Sequence, residues 1–294
     1  MSLSDSKSHL HALLILLILL IAMISVQSSG SLAKMLFAQY PALTVSAMRL
    51  CFGALILSVI FKAWTINWGQ IRWRAIISYG IALAGMNALF YLSLQRLPLG
   101  IAVAFEFIGP LSVALFYARQ RYDLLWVGCA ILGLILLFPF GQAQHGLDSL
   151  GIVLALAAGA CWALYIIAGQ KPSGVSGNHT VFLGMTVGAL ILLPFALLSG
   201  NIGQVFEFPN LFLFIILAIL ASALPFSLEM LALKRLTPLS FGTLMSLEPA
   251  VAAFSGFIFL GEILLWNQWL ALATIITASV GCTLTTQRAR KMQD

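Results

Sequence analysis

The chain has 294 residues, of which 61% are hydrophobic and 8% are charged, with a net charge of +6 and a mean hydropathy of +1.04. Because so few polar side chains cannot cover a water-soluble globule, this composition excludes soluble proteins. The basic residues are scattered at the ends of apolar runs, which excludes a basic patch for nucleic acid.

Apolar runs of about 20 residues, the length of a membrane-spanning helix, recur from end to end. We predict ten spans: 10–33, 43–61, 75–95, 98–118, 122–140, 150–170, 180–199, 210–233, 237–260 and 264–286. Backbone groups in lipid must be paired within a segment, and the runs are too uniformly apolar for barrel strands. The predicted fold class is therefore an all-α integral membrane protein with about ten transmembrane helices.

The first span resembles a signal peptide, because Lys7 precedes its apolar run. The run is too long for a signal peptide, and the Ser-Ser-Gly-Ser segment at 28–31 is not a cleavage site. We therefore expect an uncleaved first helix. With the N-terminus in the cytoplasm, basic residues strongly favour the cytoplasmic side, and only Lys34 and Arg96 fall on the other side. Both termini are thus predicted to be cytoplasmic.

Two short segments occur twice, in the same order. Gly-Ala-Leu-Ile-Leu at 53–57 recurs at 188–192, and Arg-Leu-Pro-Leu at 96–99 recurs with one insertion at 235–239. Ordered matches at a nearly constant offset indicate an internal repeat.

The repeat predicts two halves, 1–145 and 146–294, with five spans each. Because five is odd, the second half begins on the opposite side of the membrane and the halves are inverted. Inverted repeats are typical of transporters with a central binding site that opens alternately to either side.

Four ionisable residues lie inside predicted spans: Arg49, Glu106, Glu229 and Glu248. A charge at the centre of a bilayer costs about 2.5–3.5 kcal/mol even on the mildest scale, so these side chains are expected to face protein or water. Such residues mark substrate or proton pathways, and they favour a transporter.

Spans four and nine, which are equivalent in the two halves, each carry a glutamate beside a proline: Glu106 with Pro110, and Glu248 with Pro249. Proline leaves unpaired the carbonyl four residues earlier, which belongs to Glu106 itself and to Met245. An interrupted helix, a free carbonyl and a carboxylate together suit a cation or an ammonium group. The alternative is a proline kink whose carboxylate bonds a neighbouring helix.

Glu229 shares a helix face with Ser222 and Pro225 in span eight. Either it belongs to the pathway, or it pairs with Lys234 or Arg235 at the membrane edge.

Further polar residues of the spans have two interpretations each. Arg49 either extends to the membrane surface, or binds a substrate carboxylate or a glutamate. Asn87 either bonds a neighbouring helix or, with the polar run 27–31 that begins at Gln27, offers hydrogen bonds to a substrate hydroxyl. That run either lines an aqueous vestibule or simply ends the first helix.

Trp162 and Tyr165 share one face of span six, where they either pack in the core or enclose a substrate. The chain has no Walker motif, no metal-binding motif and no convergent set of nucleophile and base. We therefore expect no cofactor, no metal and no enzymatic activity.

The chain resembles the drug/metabolite transporter superfamily and, within it, the bacterial threonine and homoserine exporters. The resemblance rests on the Glu-Pro step at 248–249, on Leu-Gly-Glu at 260–262, and on the segments 31–34, 100–104, 159–163, 225–230 and 241–250. It implies export of small hydrophilic amino acids across the bacterial inner membrane, driven by the proton gradient. The implied partners are the amino acid, protons and the lipid bilayer. Efflux of another metabolite or a drug, and a lipid-modifying enzyme, are the alternatives.

Overall fold

The computed structural model describes residues 3–97, 99–118, 121–137, 148–199, 202–245, 247–259 and 266–291. Within these ranges the chain is helical and contains no β-strand. The helices are α1 (Leu3–Leu36), α2 (Ala42–Ile60), α3 (Trp73–Leu94), α4 (Leu99–Glu106), α5 (Ile108–Tyr117), α6 (Arg121–Leu137), α7 (Ser149–Gln170), α8 (Gly177–Leu198), α9 (Ile202–Val205), α10 (Asn210–Ala218), α11 (Leu224–Leu233), α12 (Pro238–Leu244), α13 (Leu247–Phe259) and α14 (Trp266–Lys291). The all-α prediction is confirmed.

Seven helical segments of the described chain are long and apolar enough to cross a membrane. They are Leu14–Lys34, Ala42–Ile60, Trp73–Leu94, Leu99–Tyr117, Ser149–Gln170, Gly177–Leu198 and Asn210–Leu233. They coincide with predicted spans one to four and six to eight, which confirms a helical membrane protein.

The other three predicted spans correspond to shorter or divided helices. Span five is α6, span nine is the pair α12 and α13, and span ten is α14, whose apolar part is Trp269–Ala278. Residues 98, 138–140, 246, 260 and 264–265 of the predicted spans lie outside the described residues. The count of ten membrane helices stays a prediction.

Three helical segments are interrupted close to their prolines. α4 and α5 are separated by a turn at Phe107, and a π-helical turn, Ile219–Ala223, joins α10 to α11. The third interruption lies between the end of α12 at Leu244 and the start of α13 at Leu247. Pro110, Pro225 and Pro249 each lie within the first three residues of the helix that follows the interruption. A proline is tolerated there, because the N–H groups in the first turn of a helix have no acceptor within that helix. The missing N–H of proline therefore breaks no hydrogen bond of the helix.

Glycines allow close approach between helices of the two predicted halves. A Cβ atom on Gly109 would collide with the backbone of Gly159, and one on Gly159 would collide with the carbonyl group of Glu106. Gly80 of α3 similarly lies against the carbonyl oxygen of Gly184 in α8. Small residues are typical of helix contacts in membranes, where no hydrophobic effect drives association.

The main helix pairs cross between the halves. α3 packs on α7, α2 on α8, α6 on α14 and α5 on α12, while α1 packs between α11 and α13. The interruptions of α4/α5 and α10/α11 therefore face the interior of the helix bundle, where a polar cavity lies.

Candidate functional site

A cavity of about 50 Å³ lies among α1, α2, α3, α4, α7, α11 and α13. That space holds about four water molecules at ~10–15 Å³ each. Seven of the eight predicted pathway residues line it: Gln27, Arg49, Asn87, Glu106, Trp162, Glu229 and Glu248. Apolar side chains of Met86, Phe90 and Phe226 complete much of its wall. One small cavity thus combines a guanidinium group with three carboxyl groups.

Arg49 is held in place by α3. Its two terminal nitrogens donate to Asn87 Oδ1 and to the hydroxyl of Tyr91, and its guanidinium carbon lies 4.5 Å from the centre of the Tyr91 ring. The side chain is 6% exposed, and no oxygen of Glu106, Glu229 or Glu248 lies within 4 Å of its nitrogens. Arg49 therefore neither extends to the membrane surface nor forms an ion pair with these glutamates. Its Nε has no hydrogen-bond partner among the described residues.

Of the two residues that accept hydrogen bonds from Arg49, the sequence analysis selected only Asn87 as a site residue. Asn87 was predicted either to bond a neighbouring helix or to donate to substrate. Its oxygen accepts from Arg49 of the neighbouring helix α2, as the first alternative predicts, and its nitrogen donates to the Leu83 carbonyl at 2.7 Å. Tyr91 was missed as a site residue. The sequence feature that could have identified Tyr91 is its position one helical turn after Asn87, on the same face of the helix.

Glu248 lies in the first turn of α13 and is joined to α1. Gln27 Nε2 donates to its Oε1 at 3.0 Å, whereas its Oε2 has no partner within the described part of the chain. The start of a helix favours a carboxylate through the helix dipole. The Met245 carbonyl, predicted to be free because of Pro249, instead accepts from the backbone N–H of Glu248 at 2.9 Å.

Glu106 ends α4 at the interruption before Pro110 and is 7% exposed. It lines the cavity together with Arg49, Glu229 and Glu248. Its carbonyl cannot accept from Pro110, which has no N–H, and it lies against Gly159 of α7. The predicted arrangement of carboxylate and proline is thus present beside the cavity.

Glu229 faces the interior and not the basic membrane edge. The Tyr165 hydroxyl donates to its Oε2 at 3.2 Å, and the side chain is 5% exposed. Lys234, its possible partner at the edge, instead donates to the Lys171 carbonyl at 3.1 Å. Tyr165 is the one predicted pathway residue that does not line the cavity, and it lies directly behind Glu229.

The π-helical turn Ile219–Ala223 was missed by the sequence analysis. Ser25 Oγ donates to the Leu220 carbonyl in that turn at 2.6 Å, so α1 satisfies an irregular backbone group. The sequence feature that could have indicated this π-helical turn is Pro225, which removes a backbone N–H just after it. Such turns are frequent at functional sites.

The possible metal ligands of the described residues are His, Cys, Asp and Glu side chains. Among the described residues, no cluster of three or more His, Cys, Asp and Glu side chains is arranged to hold a metal ion. The cavity instead offers separate positive and negative groups, which suits a small zwitterion.

Comparison with known sequences identifies relatives over most of the chain. Residues 149–284 match the EamA-like transporter family. The chain is 49% identical over 273 residues to the threonine/homoserine exporter RhtA of Escherichia coli (strain K12), covering 93% of this chain and 92% of the relative. The threonine/homoserine exporter RhtA of Salmonella typhimurium (strain LT2) is 49% identical over 267 residues, covering 91% and 90%.

A more distant relative and a solved structure extend this likeness. The uncharacterized inner membrane transporter YedA of Escherichia coli (strain K12) is 26% identical over 198 residues, covering 65% of this chain and 63% of the relative. A solved crystal structure of a protein matches with a TM-score of 0.69 at 19% identity, covering 93% of this chain and 98% of the other. At that identity the match shows the fold alone.

Proposed function

Because the chain belongs to the EamA-like transporter family of the drug/metabolite transporter superfamily, we propose that it exports small hydrophilic amino acids such as threonine and homoserine by proton antiport. The observation that carries this proposal is the cavity, where Arg49 and the three glutamates offer opposite charges to one small solute. The 49% identity to threonine/homoserine exporters supports the choice of cargo. The relatives with named functions are transporters and not enzymes.

Arg49 binds the carboxylate of the amino acid. A guanidinium group has five N–H donors in a fixed plane, and the bonds to Asn87 and Tyr91 use two of them. These two bonds and the contact with the Tyr91 ring hold the plane in one orientation. The remaining donors suit the two oxygens of a carboxylate.

Glu248 binds the ammonium group and exchanges the coupling proton, with Glu106 as the second candidate. Its Oε2 has no protein partner in the described chain, whereas Gln27 holds its Oε1. Protonation from outside removes the negative charge that attracts the ammonium group. Proton binding and substrate binding then exclude each other, as antiport requires.

The proposed transport by alternating access depends on ten membrane helices that are arranged as two inverted halves, 1–145 and 146–294. The contacts between halves support this arrangement, because the pair α3–α7 has a counterpart in the pair α1–α11. Under the proposed repeat, α3 of the first half corresponds to α10/α11 of the second half, and α1 corresponds to α7. The pairs α2–α8 and α6–α14 each join equivalent helices. Such a two-fold arrangement permits one half to rock against the other around a fixed cavity.

The cell location is the bacterial inner membrane, with both termini in the cytoplasm. The orientation rests on the excess of Lys and Arg on the predicted cytoplasmic side. A distant relative described as an inner membrane transporter supports the location.

Efflux of another small metabolite is the second candidate function. A competition panel of amino acids, purines and cationic drugs distinguishes these cargoes, since only the true substrate class slows threonine movement.

The test uses the full chain in liposomes with labelled threonine or homoserine, with and without an imposed proton gradient. We expect gradient-stimulated movement that falls about tenfold or more in Glu248→Gln, because a hydrogen bond to a charged group contributes ~1.5–3 kcal/mol. Glu207→Gln, at an exposed loop glutamate, is the matched control and retains full movement.

Two results contradict different parts of the proposal. Full pH-dependent export by Glu248→Gln would show that Glu248 does not carry the coupling. No movement of either amino acid by the folded wild type would remove the cargo and leave the membership of the family untouched.

A further inference from the structure

Trp162 lines the cavity, and its indole nitrogen is a buried donor. Trp162 is 4% exposed, and its Nε1 has no hydrogen-bond partner in the described part of the chain. The ring packs edge-on against Phe107, with centres 6.3 Å apart, so its orientation is constrained. A buried indole N–H usually finds an acceptor, and it can only donate. The geometry therefore suits a ligand atom that accepts a hydrogen bond.

The other polar groups expected to meet a substrate hydroxyl are largely engaged within the protein. Both ends of the Asn87 amide are used, by Arg49 and by the Leu83 carbonyl. The Gln27 amide nitrogen donates to Glu248. The Ser29 hydroxyl donates within its own helix, to the Val26 carbonyl at 2.6 Å. Trp162 differs from these groups, because its single N–H has no partner among the described residues.

We propose that Trp162 Nε1–H donates a hydrogen bond to the side-chain hydroxyl of the transported amino acid and so selects hydroxylated amino acids over analogues without that group. This inference rests on the proposed function, in which Arg49 and Glu248 bind the carboxylate and ammonium groups. The carbon atoms of the substrate side chain then contact Met86, Phe90 and Phe226, which line the cavity and offer no strong donor.

The chemistry of the two expected cargoes makes this selection measurable with one analogue. Threonine carries its hydroxyl on the β-carbon and homoserine on the γ-carbon. Removing the hydroxyl from either one gives 2-aminobutyrate, which keeps the carboxylate, the ammonium group and all four carbons. A site that hydrogen-bonds the hydroxyl discriminates against 2-aminobutyrate, because the analogue leaves the buried donor unpaired.

The experiment measures competition in liposomes that contain the full-length protein. Unlabelled threonine, homoserine and 2-aminobutyrate compete with labelled threonine, for wild type and for Trp162→Phe, which keeps an aromatic ring but lacks the N–H. In the wild type we expect both hydroxylated amino acids to compete about tenfold better than 2-aminobutyrate. In Trp162→Phe this ratio falls to about one to two, because the variant has neither a bond to offer the hydroxyl nor a donor that 2-aminobutyrate would leave unpaired.

Phe226→Leu is the matched control, because it changes an aromatic wall residue that has no donor. It alters competition by all three compounds alike and leaves the ratio at its wild-type value. If Trp162→Phe does not fold, Trp162→Met fills the space without a donor and is judged by the same ratio.

The inference is overturned by a wild type that does not distinguish threonine from 2-aminobutyrate, or by a folded Trp162 variant that keeps the tenfold ratio. In both cases the three compounds still compete, so the proposed function stands. If none of them competes in the wild type, the proposed function fails, and this inference fails with it.

Discussion

Gln27 on the first helix donates a 3.0 Å hydrogen bond to Glu248, which lies 221 residues later in the chain. Both side chains are buried, and both line the cavity. The bond connects the two predicted halves at the carboxyl group that we assign to ammonium and proton binding. It leaves the second oxygen of Glu248 for the ligand.

Replacing Gln27 with leucine removes the donor to Glu248 while keeping a side chain of similar volume. We expect threonine export at low substrate concentration to fall about tenfold, because losing a hydrogen bond to a buried carboxylate costs ~1–3 kcal/mol. Initial rates in proteoliposomes measure this change. Gln70→Leu, at an exposed loop position, serves as the control, and equal rates in both variants would contradict the role of Gln27.

Replacing Arg49 with lysine keeps the positive charge but loses the planar group that bonds Asn87 and Tyr91. An ammonium group cannot bind a carboxylate through two parallel bonds. We therefore expect the KM for threonine to rise about tenfold or more, as one charged hydrogen bond contributes ~1.5–3 kcal/mol. The exposed Arg74→Lys is the matched control. An unchanged KM for Arg49→Lys would assign the carboxylate to another group.

Replacing Gly159 with alanine tests the close contact of α7 with the interrupted helix at Glu106. The new Cβ would collide with the Glu106 carbonyl, which is backbone and cannot move aside easily. We expect a loss of about 1–3 kcal/mol in the free energy of unfolding. Thermal unfolding in detergent measures it. Gly128→Ala, where a Cβ meets no atom within 4 Å, should leave the midpoint unchanged; an equal effect of both variants would refute the contact.

Asp148 makes the stability of α7 depend on pH. It caps this helix by accepting from the backbone N–H of Gly151 at 2.9 Å, and it accepts from Arg96 at 2.9 Å. These bonds, the backbone bond first, lower the pKa of Asp148 from its ordinary value of 3.8. Because the folded-state pKa is lowered, the stabilisation is present above pH 3.8 and is lost as the pH falls through the folded-state pKa.

Thermal unfolding of wild type, Asp148→Asn and Asp148→Ala between pH 7 and pH 3 measures this dependence. We expect Asp148→Ala to be least stable at pH 7, because it loses both bonds, and Asp148→Asn to be intermediate, because its amide oxygen still caps the helix. The difference between wild type and Asp148→Asn should shrink toward pH 3. A difference that stays constant with pH would show that the carboxylate charge has no part in it.

The sequence alone was sufficient to predict an all-helical membrane protein, most of its spans and seven of the twelve residues that line the cavity. Runs of apolar residues and the high cost of burying a charge in lipid are local properties, readable one segment at a time. For this reason Arg49, Glu106, Glu229 and Glu248 could be selected before any packing was known.

Only the tertiary structure decided which partner each of these groups meets. The rotation of a helix about its axis and the side chain opposite it depend on contacts between segments far apart in the chain. Tyr91 holds Arg49, Tyr165 bonds Glu229, and both the oxygen and the nitrogen of the Asn87 amide have partners within the protein. Trp162 is a further donor left for a ligand, since its N–H has no partner among the described residues. That N–H is unpaired because of how the helices pack, and no local sequence pattern indicates it.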